Sequence, residues 1–301
     1  MSGHNKPLFA FFGTPRFAVQ VLDALEKRGL LPALVICAPD KPRGRGQEVS
    51  ASPAREWAQA RGIDVLTPST LKDEQLVAEL QNTDWDVFVV AAYGKLIPKN
   101  ILEIPRRGAL NIHPSLLPKF RGPSPVLSAI LADERATGVT IMEMSEQMDA
   151  GPVVAQAKVE LEETGDWQTG WPPKGSQFED LLATEGGTLL AETLPEWLAG
   201  TLTPEPQDES LASYTKKFTD EDARIDMARS NLDETTARES LLKIRAFDKN
   251  PRAYFLDTEG KRVVITDAKI HEGTLEILTV IPEGKKEIPF KTYLESRGQN
   301  L

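Results

Sequence analysis

Short apolar runs alternate with amphipathic stretches through the first part of the chain, and this alternation limits its possible folds more than any other feature. Runs typical of buried strands cover residues 8–12, 33–38, 63–66, 85–92 and 108–112. Apolar residues at helical spacing follow in most of the intervals between these runs. Alternating strands and helices predict one mostly parallel sheet with helices on both faces. We therefore predict a Rossmann-like α/β fold for this region.

Local signals define the ends of several of these elements. Thr14 is expected to be the N-cap of the first helix, with Pro15 in its first turn. Residues 39–47 are predicted to form a polar loop. Further predicted elements are helices near 53–61, 71–80, 125–132 and 178–198 and a strand over 137–144.

A different pattern begins after residue 200, where Pro204 and Pro206 lie in a stretch of low apolar content that is typical of a linker. One helix is predicted near 232–247, and strands predicted at 253–256, 263–265 and 275–280 are separated by glycine-containing turns. We expect a small β-barrel, for which the five-stranded oligonucleotide-binding (OB) type is one candidate. The expected organisation is a catalytic domain over 1–203, a linker over 204–216 and a shortened OB-like domain over 217–301.

Composition excludes several classes of protein. The net charge of −10 argues against a protein that coats nucleic acid indiscriminately, although the region from residue 211 onward carries equal numbers of acidic and basic residues. The single cysteine, Cys37, lies in an apolar run and is expected in the core. No apolar segment approaches the ~20 residues of a membrane span, and the N-terminus lacks the apolar stretch of a signal peptide. We therefore expect a cytoplasmic protein without membrane association.

Asn111 and His113 stand at the end of the strand predicted over 108–112, and Asp149 follows the next predicted strand. Ligands of open α/β sheets gather just beyond the carboxyl ends of strands. Of the three histidines, only His113 lies between an apolar run and a loop of small residues. An amide donor, an imidazole and a carboxylate suffice to move an acyl group between nitrogens. An Asn-x-His pair taken alone is more often structural than catalytic, and it is the setting at this edge that favours catalysis.

The loop over residues 39–47 combines three cationic residues, Lys41, Arg43 and Arg45, with two glycines and two prolines. Arginine on a flexible backbone can bind a phosphate through two hydrogen bonds, whereas the alternative is a solvated turn. A second basic set brackets the candidate catalytic strand, from which we infer that a phosphate binds close to the reaction centre. Its members are Lys95, Lys99, Arg106, Arg107, Lys119 and Arg121.

Signals for other cofactors are weak. Residues 13–18 lack the three-glycine spacing of a dinucleotide-binding loop, and the chain has no Walker A sequence. One cysteine and scattered histidines make no credible zinc site. We therefore expect neither a metal nor a nicotinamide cofactor.

Several short motifs of the N-terminal region form an ordered set, at 11–18, 44–46, 92–98, 111–122, 138–142 and 148–152. Weaker motifs follow at 218–226, 244–247 and 282–286. In this order the motifs resemble those of the methionyl-tRNA formyltransferase family, and the resemblance covers most of the N-terminal region.

The resemblance implies that the chain transfers the formyl group of the co-substrate 10-formyltetrahydrofolate to the free amino group of methionyl-initiator tRNA. It implies catalytic roles for Asn111, His113 and Asp149. The β-barrel would support the tRNA, and we expect the protein to act as a monomer. The implied folate-binding residues are Ser115, Leu116, Leu117 and Pro118, and the implied tRNA-binding residues are Lys41, Arg43 and Arg45.

The chemistry gives the catalytic roles independent support. Attack of the amine on the formyl carbon puts negative charge on the formyl oxygen, which the Asn111 amide and the His113 ring can stabilise. Asp149 can orient the ring and can receive, directly or through water, the proton that the amine loses. No covalent enzyme intermediate is needed.

Three features depart from the family pattern, and one is that residues 248–253 lack the tryptophan that is usual after the helix predicted near 232–247. Residues 165–175 contain Trp167 and Trp171 and look like an insertion, and we interpret the two tryptophans as a packing element in preference to a lid or a ligand contact. The predicted barrel is shortened by roughly two strands relative to the five-stranded type. Two alternatives are a formyltransferase that acts on an amino sugar nucleotide and a catalytically silent RNA-binding or folate-binding protein.

Overall fold

The computed structural model describes residues 6–43, 48–161 and 171–298, without the side chains of residues 41–43, 48 and 49. These residues group into two compact units. The expected domain boundaries, at 203/204 and 216/217, stay predictions. The first unit contains Met1–Gly122, Gly138–Val159 and Glu179–Tyr214, and the second contains Pro123–Thr137, Glu160–Phe178 and Thr215–Leu301.

A seven-stranded sheet forms the centre of the first unit. The strands up to residue 161 are β1 (Phe9–Gly13), β2 (Leu34–Ile36), β3 (Lys41–Arg43), β4 (Glu48–Ser50), β5 (Asp64–Leu66), β6 (Val87–Ala91), β7 (Ala109–His113), β8 (Ala136–Glu143) and β9 (Val153–Glu160). The order in the sheet is β5-β2-β1-β6-β7-β8-β9. The strands from β5 to β7 are parallel, and β8 runs antiparallel to β7. The predicted mostly parallel sheet is confirmed.

Both faces of this sheet are covered by apolar side chains from helices. Along β1, Phe9 and Phe11 face one buried cluster, whereas Ala10 and Phe12 face another on the opposite side. Strands that are buried on both faces have nearly continuous apolar sequences, which explains the runs seen in the sequence. The helices up to residue 199 are α1 (Arg16–Lys27), α2 (Pro53–Gln59), α3 (Glu74–Gln81), α4 (Lys99–Leu102), α5 (Pro125–Leu131) and α6 (Gly175–Ala199).

Two local predictions for the first unit are wrong. Pro15, not Thr14, is the N-cap of α1, and it makes no side-chain capping bond. The Thr14 hydroxyl instead accepts a hydrogen bond from the Ala38 N–H at 3.0 Å, which joins the loops after β1 and β2. The segment predicted as a polar loop contains strand β3, which pairs antiparallel with β4 directly after the segment. A contact between distant loops and a hairpin of polar residues both lack a local apolar pattern that would reveal them.

The second unit contains a separate antiparallel sheet. Its elements after residue 230 are α7 (Glu234–Ala246), β10 (Tyr254–Leu256), β11 (Arg262–His271), β12 (Thr274–Pro282), β13 (Ile288–Pro289) and α8 (Phe290–Glu295). The four strands pair in chain order. Helix α7 begins at a capping box in which Asp233 and Thr236 bond each other's backbone. A separate antiparallel sheet in the C-terminal region is therefore confirmed. Within the described residues the sheet has four strands, so the expected shortening of a five-stranded barrel by roughly two strands is too large.

Trp171 is a packing residue of the second unit, as predicted. It is 4% exposed, and its ring packs edge-on against Phe178. The indole N–H donates to Asp133 at 2.5 Å, and Asp133 also accepts from Arg238 at 2.9 Å. Burial raises the pKa of Asp133, but the hydrogen bonds from Arg238 and Trp171 lower it by more. Trp167 lies outside the described residues.

Two expectations from composition can be compared with the structure. Cys37 is fully buried and free, as predicted. Among the helices of the described ranges, none is both long and apolar enough to span a lipid bilayer.

Candidate active site

Strand β7 carries Asn111 and His113 two residues apart, so both side chains leave the same face of the sheet. Asn111 is flanked by Val90 of β6 and Met142 of β8, and His113 pairs with Thr140 of β8. Asn111 is partly exposed, and within the described part of the chain its amide has no hydrogen-bond partner. A donor that is fixed on a strand and unused by the protein is available to a ligand.

The His113 ring is buried, and its two nitrogens face different acceptors. Nε2 donates to the Phe120 carbonyl oxygen at 3.0 Å. Nδ1 lies 3.7 Å from Oδ2 of Asp149, which is longer than a hydrogen bond. When Nε2 carries its proton, the neutral ring presents a lone pair at Nδ1 to the carboxylate.

Asp149 is held by the main chain and does not depend on His113 for its position. Its φ is +52°, in the left-handed region that few non-glycine residues adopt. Oδ2 accepts a hydrogen bond from the Gly122 N–H at 2.7 Å. The carboxylate is therefore fixed beside the His113 ring, with 16% of the side chain exposed.

The four residues expected to bind folate differ in their surroundings. Ser115 is fully buried, and its hydroxyl donates to the Lys119 carbonyl at 2.7 Å. Leu117 is buried, and its backbone N–H donates to Thr140 Oγ1 at 3.1 Å. Leu116 and Pro118 are partly exposed. The first pair fixes the segment in place, whereas the second pair has surface available for contact.

Several of the basic residues around β7 make hydrogen bonds within the protein. Arg121 is 1% exposed, and its guanidinium is bonded to Gln207, Glu209 and Tyr214. Lys95 donates to two backbone carbonyls, and Arg107 donates to another. The inference of a phosphate beside the reaction centre is therefore wrong for Arg121, whose donors are all used inside the protein, and stays a prediction for the rest of the set. Arg45 lies outside the described residues, as do the side chains of Lys41 and Arg43.

Tyr93 lies in the loop that follows β6. Its hydroxyl is buried and has no hydrogen-bond partner among the described residues. The ring packs edge-on against Phe12, with centroids 5.5 Å apart. Burial raises the pKa of Tyr93 to about 12, with a smaller effect from Cys37. The phenol therefore stays protonated at neutral pH and is a poor candidate for a general base.

Sequence reasoning missed three groups that shape this site. Two of them, the Phe120 carbonyl and the Gly122 N–H, are main-chain groups, for which no residue type gives a signal. The third is Gln207, whose side chain donates to the carbonyl oxygens of Asp149 and Gly151. It lies in the segment interpreted as a linker, where a glutamine has no distinguishing pattern.

Comparison with known proteins identifies relatives over most of the chain. Residues 5–169 match the family model described as formyl transferase. A methionyl-tRNA formyltransferase of Chloroflexus aggregans is 45% identical over 218 residues, which cover 72% of this chain and 67% of the relative. The methionyl-tRNA formyltransferase of Roseiflexus castenholzii is 40% identical over 305 residues, which cover 93% of this chain and 92% of the relative.

Solved structures extend the likeness to the fold. A 4-N formyltransferase from Francisella tularensis superposes with a TM-score of 0.64 at 18% identity, covering 91% of this chain and 99% of that protein. At this identity the likeness concerns the fold alone. The assignment to a family rests on the curated relatives, whose identity extends through both units. With the family model matching the unit that carries Asn111, His113 and Asp149, the chain belongs to the methionyl-tRNA formyltransferase family.

Proposed function

We propose that this protein transfers the formyl group of 10-formyltetrahydrofolate to the free amino group of methionyl-initiator tRNA, with Asn111, His113 and Asp149 as its catalytic residues. The observation that carries the proposal is the arrangement around β7. An amide that has no partner among the described residues and an imidazole leave the same face of the strand, and a carboxylate lies 3.7 Å from the ring.

Each of the three side chains suits one requirement of amine formylation. The Asn111 amide can donate to the formyl oxygen as negative charge develops there. The His113 ring, anchored through Nε2 to Phe120, can present a positive charge or a proton at Nδ1. Asp149 stabilises that charge and, directly or through water, can accept the proton that the attacking amine loses. Direct transfer needs no nucleophilic side chain.

Folate supplies the formyl group, which it carries on a nitrogen. We propose that Ser115, Leu116, Leu117 and Pro118 form its binding segment. The partly exposed Leu116 and Pro118 suit contact with an apolar ring system, whereas the bonds of Ser115 and Leu117 keep the segment rigid. Leu96 and Met148, which are 74% and 66% exposed, are further apolar side chains without a packing role in the described structure.

For the tRNA we propose contacts through Lys41, Arg43 and Arg45, with residues 217–301 as the tRNA-supporting domain, 204–216 as a linker and 1–203 as the catalytic domain. The charge of these three residues and the equal numbers of acidic and basic residues after residue 210 are compatible with local phosphate contacts. Because one chain supplies all three catalytic groups, we propose that the protein acts as a monomer. Its proposed substrates place the reaction in the cytoplasm.

Replacing Arg43 and Arg45 together with alanine is expected to weaken tRNA binding and to lower the slope of log K against log salt by about 0.9 for each lost phosphate contact. Binding of the folate should not change. Binding assays at several salt concentrations measure both quantities. The control replaces Lys27 and Lys72 together with alanine. Both lysines are exposed, and their replacement removes the same amount of charge. An equal slope in the two variants would mean that the basic loop is only solvated.

An acceptor assay tests the proposed function. The pure protein is incubated with 10-formyltetrahydrofolate and one of three acceptors: methionyl-initiator tRNA, the same tRNA without methionine, or an amino sugar nucleotide. Formylation of the charged tRNA alone is expected. Transfer to the sugar instead would assign the protein to a different substrate class, and no transfer at all would indicate a silent binding protein.

A further inference from the structure

The segment from Glu205 to Tyr214 is bonded to both sides of the proposed active site within the first unit. Glu205 exchanges two backbone hydrogen bonds with Val153, each of 2.8 Å. Ser213 accepts through its hydroxyl from the Phe120 N–H at 2.8 Å and through its carbonyl from the Arg121 N–H at 2.9 Å. The segment therefore holds the residue whose carbonyl receives the His113 hydrogen bond.

Gln207 makes the corresponding connection to Asp149. Its side-chain Nε2 donates to the carbonyl oxygens of Asp149, at 2.9 Å, and Gly151, at 2.7 Å. Its Oε1 accepts from Arg121 Nε at 3.0 Å and from a terminal guanidinium nitrogen at 2.8 Å. An amide group has two donor hydrogens and two acceptor lone pairs, and all four are used here. Only one orientation of the amide satisfies these partners, because a flip would place oxygen against two carbonyls.

Arg121 fixes the orientation of the Gln207 amide. It is 1% exposed, and the charge of its guanidinium is balanced by Glu209, with a shortest contact of 2.7 Å. A buried guanidinium can only donate, so the group that faces it must present oxygen. The Gln207 amide nitrogen is thereby directed toward the loop that contains Asp149.

We propose that Gln207 is a positioning residue for the formyl transfer reaction: it sets the position of the Asp149 carboxylate relative to His113 through the backbone on both sides of Ala150. The inference rests on the proposed catalytic role of Asp149. Both donor hydrogens and both acceptor lone pairs of the Gln207 amide are used by protein groups, so it acts through Asp149 and not on a substrate. The left-handed backbone of Asp149 needs such support, since an isolated residue of this kind favours other conformations.

The test uses Gln207→Glu and Gln207→Met in the full-length protein. Glutamate keeps an oxygen for Arg121 but replaces the donor nitrogen with a second oxygen, which cannot donate to the two carbonyls. Methionine keeps the length of the side chain without these hydrogen bonds. In both variants we expect kcat to fall by more than roughly fivefold and by up to about 10²-fold, the effect of misplacing a catalytic group by about 1 Å. KM for both substrates should stay within about twofold of wild type, because binding groups are untouched.

A purely structural role predicts a different result. It would lower the fraction of folded protein without shifting the pH dependence of kcat, whereas displacement of Asp149 from His113 shifts that profile. Thermal unfolding and circular dichroism report the folded fraction, and Gln59→Glu, at an exposed position on α2, is the control for the added charge. Should one of the two variants fail to fold, the other decides.

The Gln207 variants and the wild-type protein are compared with whichever amine acceptor the wild-type protein formylates. If the tRNA is not that acceptor, the test of Gln207 can still be carried out. The inference is overturned if both folded variants keep kcat within roughly fivefold of wild type, or if the loss appears in KM with an unchanged pH profile. The proposed role of Asp149 fails separately, if Asp149→Asn is fully active.

Discussion

Replacing Asn111 with alanine is expected to lower kcat by about 10²–10³, the usual cost of removing one donor to a developing oxyanion. Because the Asn111 amide has no partner within the described part of the chain, its removal breaks no internal hydrogen bond. The backbone pairs of β7 with β6 and β8 do not involve this side chain. The free energy of unfolding should therefore change little while turnover is nearly lost. We expect His113→Ala to cost a similar factor.

Steady-state kinetics with charged initiator tRNA measure the effect, and the loss should appear in kcat and in kcat/KM equally if the donor acts only in the transition state. Asn100→Ala is the matched control, since Asn100 is an exposed asparagine on α4. A folded Asn111→Ala protein that keeps more than about a tenth of the wild-type kcat would remove Asn111 from the mechanism.

Replacing Gly138 with alanine should destabilise the first unit by at least about 3 kcal/mol, the upper end of the usual cost of overpacking. A Cβ at this position would lie 2.1 Å from the Ala157 carbonyl oxygen and 2.8 Å from Leu116 Cδ2. The first of these atoms belongs to the backbone of β9 and cannot move without opening the sheet. Since Leu116 lies in the proposed folate-binding segment, folate affinity should also fall.

Denaturant unfolding measures this change as a lower transition midpoint. Gly62→Ala is the comparison, because a Cβ at Gly62 meets no atom within 4 Å and its cost, from a φ of +67°, should be only about 1–2 kcal/mol. Equal midpoints for the two variants would show that β8 and β9 can move apart at this contact without a further loss of stability.

Much of the first unit could be predicted because its strands are buried on both faces. The residues of β1 divide alternately between two apolar clusters, so each strand has a continuous apolar sequence and a clear position. The same logic placed Asn111 and His113 at the end of β7. Their roles stay proposals, but their common face follows from the two-residue repeat of a strand.

The features that sequence reasoning missed depend on contacts between distant segments. Arg121 is of a residue type that often binds phosphate and it lies next to a glycine. Its charge is nevertheless balanced by Glu209, 88 residues along the chain. Gln207 is one polar residue in a proline-containing stretch, and its four hydrogen bonds become visible only when 121, 149 and 151 are brought together. No local pattern encodes a partner so far away.

Main-chain atoms take part in two hydrogen bonds of the candidate active site: the Phe120 carbonyl accepts from His113, and the Gly122 N–H donates to Asp149. No codon change deletes a carbonyl, and only a change to proline deletes an N–H. Side-chain scanning would therefore overlook both of these contacts of the imidazole and the carboxylate. Replacing single peptide bonds with esters, in protein assembled by ligation, would measure how much each contact contributes to activity. Point mutations in the gene leave these two contacts almost unchanged.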